Sequence, residues 1–71
     1  MKVNFENAEK LFDDSFCEAS LIIFEAIALD EQGNLELRAE SYNMMEVIVQ
    51  TAAPYLSEIY INSLDRYVSK M

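Results

Sequence analysis

Cys17 is the strongest nucleophile in this sequence, and there is no histidine anywhere in the chain to act as its base. Nucleophilic catalysis of the familiar kind needs a nucleophile, a base and a group that orients the base, so one member of the set is missing. Cys17 stands among Phe16, Glu18 and Leu21, with no cation beside it in sequence to stabilise a thiolate. It reads as a small buried hydrophobe. Carboxylate pairs could do acid/base work or hold a divalent ion, and two pairs, Asp14 with Glu18 and Glu36 with Glu40, stand four apart on one helix face. Neither pair brings the third and fourth ligands that a dedicated cation site requires, and the Glu-x-x-His motif of di-iron bundles is impossible here. They read as solvated surface. A single glycine rules out a glycine-rich phosphate loop. No catalytic residue, metal ligand or cofactor site is expected, and no enzymatic activity.

Charge carries more information. Thirteen acidic residues stand against five basic ones, for a formal charge of −8. Residues 1–31 hold eight of the acids and two lysines. Such a surface repels a phosphate backbone, so direct binding of nucleic acid is not expected. A second use is open to Glu9, Asp13, Asp14, Glu18, Asp30 and Glu31: carboxylates spread over a compact helical surface imitate nucleic-acid phosphates and can occupy a basic cleft. In size and charge the chain is similar to small acidic phage-encoded inhibitors, including anti-CRISPR proteins. That likeness, which is one of composition, implies a mobile-element inhibitor of a nucleic-acid-binding protein. The competing explanation is that the charge keeps a very apolar small protein in solution.

Helices must position all of these residues, because one glycine and one proline leave few places to turn and strong helix formers fill most of the rest. In residues 4–12, Phe5, Ala8, Leu11 and Phe12 recur at helical spacing. Ser15 and Glu18 fit the S-x-x-E capping box, which would start a new helix at Phe16, although the stripe Phe12, Phe16, Ala19, Ile23 and Ile27 also permits one continuous helix. Residues 16–30 are apolar on nearly every side. A helix of that kind is buried by neighbours on more than one side, here its own hairpin partner and a second subunit. Gly33 is expected to close it in the left-handed conformation, and Asn34 to cap a third helix starting near Leu35. Pro54 predicts a bend near residues 50–54, with Thr51 as a cap for a final helix to about residue 69.

The expected fold is therefore all-α, one domain over residues 1–71. It is an antiparallel helical hairpin, 16–30 against 35–52, with a kinked C-terminal helix that pairs into a homodimeric bundle. The case for a partner is one of supply. Apolar residues make up 52% of 71, a chain this short buries only about 60% of its surface, and neither a disulfide nor a Cys/His zinc site can staple it. Leu21, Ile22, Phe24, Met45, Ile48, Ile59, Tyr60, Leu64 and Tyr67 are the expected interface residues, with the tyrosines and methionines suited to contact. The expected function is that of a regulatory interaction protein, working as a homodimer that engages a larger protein. Met1, Lys2 and Val3 lead at once to Asn4 and Glu6, so no secretory leader is expected. The longest apolar run, residues 19–29, contains Glu25 and falls short of the roughly 20 residues that span a membrane. A cytoplasmic setting with no membrane association follows.

Overall fold

The computed structural model describes residues 4–69, apart from the Tyr67 side chain. Every regular element in that range is helical: α1 (Phe5–Asp13), α2 (Cys17–Ala28), α3 (Leu35–Thr51), a 3-10 turn (Pro54–Leu56) and α4 (Ser57–Ser69). The radius of gyration is 11.0 Å, about the 11 Å of a compact domain of this length.

Residues 5–28 form two helices, and the corner between them explains why. Ser15 holds a φ of 71°, left-handed backbone that an L-residue adopts at a cost. The Phe16 amide donates to the Leu11 carbonyl at 2.8 Å and the Ser15 amide to the Phe12 carbonyl at 3.0 Å. This pair of bonds is the Schellman motif, with serine where glycine is usual. Ser15 therefore closes α1 and cannot cap α2, whose N-cap is Phe16 without a side-chain hydrogen bond. The expected Ser15–Glu18 capping box does not form. Replacing Ser15 by glycine should raise stability by up to about 1 kcal/mol, and by valine should lower it by about as much. Urea midpoints for the two variants test this; equal tolerance of both would mean that the corner is not left-handed in solution.

The other helix ends are set by side chains. Asn4, like Asn34 a favoured N-cap residue type, starts α1, its Oδ1 accepting from the Asn7 amide at 2.8 Å. Asn34 caps α3 as expected, accepting from the Leu37 amide at 3.1 Å. Gly33 is not left-handed. The α2–α3 turn is tied instead by Asp30, which accepts from the Gln32 amide through Oδ1 and from the Gly33 amide through its carbonyl, both at 3.0 Å. A side chain at Gly33 would be crowded, since a Cβ would stand 3.2 Å from the Asp30 carbonyl oxygen and the turn would have to give by a few tenths of an ångström. Thr51 is the last residue of α3 and donates to the Val47 carbonyl. It does not cap α4. Pro54 opens the 3-10 turn, where its missing N–H costs nothing.

The core lies where α1 and α3 meet α2. Leu21, Phe24, Met45 and Ile48 are fully buried together with Ala8 and Ala53. Phe5 meets the Phe24 ring edge to face at 5.2 Å, and Ser20 donates to the Ala8 carbonyl at 2.6 Å. At the far end of α2, Arg38 Nε donates to the Ala28 carbonyl at 3.0 Å. In the last turn of α2, the Glu25 carboxylate accepts from Ser63, which is buried on α4.

Candidate functional site

Four of the expected interface residues, Leu21, Phe24, Met45 and Ile48, are enclosed by this chain alone. The side of α2 that the sequence reading assigned to a second subunit is covered by α1, through Ala8 and Phe5. Ile59 and Tyr60 are half-buried against the core. Ile22 and Leu64 are exposed, and the Tyr67 side chain lies outside those described.

Tyr60 has internal work. It stacks obliquely on Tyr42 at 5.2 Å and donates to Glu46 Oε2 at 2.9 Å, which joins α4 to α3. Burial is the main reason that both phenols titrate above their ordinary value. The hydrogen bond between them raises Tyr42 further and acts the other way on Tyr60, while Glu46 raises both. A phenol whose folded pKa is raised stays protonated longer in the native state. Its stabilisation is complete below about pH 10 and is lost as pH climbs through the folded value. Urea midpoints should therefore hold level to about pH 10 and then fall, and Tyr42→Phe should flatten that fall. An unchanged slope in Tyr42→Phe would separate this pair from alkaline unfolding.

Apolar side chains face outward on α4 and at the α1–α2 corner, and Leu35, Leu37 and Val47 on α3 are exposed as well. On α4, Ile61, Leu64 and Val68 form one exposed stripe at spacings of three and four, flanking the side on which Ser63 is buried. At the α1–α2 corner, Phe16 is 60% exposed, Ile22 50% and Tyr55 73%. These three, with Ser15, Cys17, Glu18 and Ala19, line a shallow open groove of about 440 Å³. Phe16 also borders a neighbouring depression with Leu11, Lys10 and Asp14. The corner's Schellman bonds fix the Phe16 backbone, which holds its ring out of the core.

The six carboxylates proposed as a partner-binding surface are all exposed, but they do not form one surface. Asp13, Asp14 and Glu18 gather at the α1–α2 corner, with Glu9 one turn back on α1. Asp30 and Glu31 stand at the other end of α2, a helix of 12 residues and so about 18 Å away. Asp30 is also engaged in its own turn. The sequence reading missed the Phe16 groove because Tyr55 reaches it only through the fold. Among the described residues, no three Cys, Asp or Glu side chains converge as metal ligands would, and no helix is long and apolar enough to cross a membrane. Compared with known proteins, the chain matches no family model, no curated protein and no solved structure.

Proposed function

We propose that this chain is a non-enzymatic, regulatory interaction protein. In this reading, an antiparallel hairpin of α2 and α3, with the C-terminal helix bent back after Pro54, pairs with a second copy into a helical bundle and engages a larger protein. The supporting observation is the outward stripe of Ile61, Leu64 and Val68 on α4. Apolar side chains repeated along one exposed helix face mark a surface that is covered in the working state. Charge favours this face for self-pairing. Each copy carries −8, yet α4 carries only Glu58, Asp65 and Arg66. A second copy therefore meets less repulsion here than at the acidic corner. The lone Cys17 suits a reducing, cytoplasmic setting.

Light scattering on the purified protein at micromolar concentration should give twice the 8.2 kDa of one chain. Added salt should strengthen the pairing by screening like charges. Leu64→Glu should return a helical monomer. A parent protein that stays monomeric across the micromolar range removes the homodimer.

The exposed group of Asp13, Asp14 and Glu18 at the α1–α2 corner favours a second reading, an acidic inhibitor that occupies the basic cleft of a nucleic-acid-binding protein. Its binding should weaken with salt and with neutralisation of Asp13, Asp14, Asp30 and Glu31. Affinity that ignores those four changes would exclude it.

A further inference from the structure

We propose that the groove around Phe16 is the docking site for a basic amphipathic segment of a partner protein. The segment's apolar side would cover Phe16, Ile22 and Tyr55, and its lysines or arginines would face Asp13, Asp14 and Glu18. This deepens the interaction reading above by naming the partner's chemistry and the surface that takes it.

Three observations converge on that occupant. Phe16 and Tyr55 are more than half exposed and both line the same shallow groove, and uncovered aromatics in a depression are the side chains that anchor interfaces. Phe16 is held ready, because the Schellman bonds at Ser15 and Phe16 order its backbone before any partner arrives. That lowers the ordering cost of binding. The charge around the groove then selects among occupants. Residues 4–18 hold five acids and one base, Lys10, and Glu18 and Asp14 line the two depressions that Phe16 joins. A second copy would bring the same carboxylates to this corner. An anionic membrane surface would be repelled by it. A segment with a basic face gains from complementary charge, and an apolar face answers the aromatics.

The test uses the whole chain and a fluorescent synthetic peptide of about 18 residues, about 27 Å of helix, built from leucine and lysine in an amphipathic pattern. A leucine/glutamate peptide of the same pattern is the comparator. Anisotropy should show binding of the lysine peptide alone, weakening as salt is raised. The double variant Phe16→Ser, Tyr55→Ser should lose at least about tenfold in affinity, which corresponds to about 1.4 kcal/mol. Ile22→Asn, a single change at a half-exposed position, gives an independent measure if the double variant fails to fold. Leu64→Glu should bind the peptide as the parent does, so that loss of pairing and loss of docking are read separately. The proposal is overturned if the parent does not bind the lysine peptide, if the glutamate peptide binds equally well, or if folded groove variants keep full affinity. It also falls if the groove variants abolish self-association and leave peptide binding intact, because the occupant would then be a second copy.

Discussion

Phe24→Ala should cost this domain about 3–5 kcal/mol, the usual range for deleting a fully buried aromatic ring. A domain of 71 residues has a total stability of about 4–10 kcal/mol at typical values per residue. The variant should therefore be marginal or unfolded at room temperature. The reason lies in what the ring joins. Phe24 is fully buried on α2, meets Phe5 of α1 edge to face, and belongs to the same cluster as Met45 and Ile48 of α3. Its removal leaves a cavity that three helices border, and none can close it without losing contacts elsewhere. Ile22, two residues away and half exposed, supplies the contrast: Ile22→Ala should change stability by no more than about 0.5 kcal/mol. Urea unfolding followed by far-ultraviolet circular dichroism measures both. A Phe24→Ala variant with a parental midpoint would mean that Phe24 is not the centre of the core.

The contrast between these two positions also marks how far the sequence could be read. Helices, their order and the role of Asn34 follow from local chemistry, because spacing and capping act within a few residues. The all-α class follows for the same reason. Which apolar face of α2 is covered, and by what, is decided by residues far away in sequence. Residues 16–30 are apolar almost all round, so the pattern marks Leu21, Ile22 and Phe24 alike as contact residues. The structure buries the first and third under α1 and α3 and leaves Ile22 outside. The covering element, α1, meets α2 through Phe5 and Ala8; their helical spacing is legible in the sequence, but nothing local says which helix they cover. Ser15 shows a different limit. Its side chain suits the start of a helix as well as any residue, yet its backbone is used in the left-handed form to end the one before. One residue cannot hold both conformations. The acidic residues were legible as charge but not as geometry, since Glu18 and Asp30 are separated by the whole length of α2.

Ala8→Leu should detach α1 and lower stability by about 1–3 kcal/mol from overpacking alone. Ala8 is fully buried against α2, and the 2.6 Å bond from Ser20 to its carbonyl holds the two helices close. A leucine side chain has no room there, so α1 must move outward or tilt. Either movement breaks the Ser20 bond, adding about 1 kcal/mol or more for a buried hydroxyl left without its acceptor, and uncovers Phe24 through loss of the Phe5 contact. Hydrogen exchange separates this local effect from global unfolding. Amides of α1 should lose protection first, while those of α3 near Met45 and Ile48 keep theirs, because opening α1 needs less free energy than opening the α2–α3 core. The consequence reaches the groove. Leu11 and Phe12 supply the carbonyls that order the Phe16 corner, so a displaced α1 releases Phe16 from its outward position. The leucine/lysine peptide should then bind more weakly even though every groove side chain is still present. Parental protection in α1, together with a midpoint within about 0.5 kcal/mol of the parent, would show that the α1–α2 contact is looser than Ala8 and Ser20 imply.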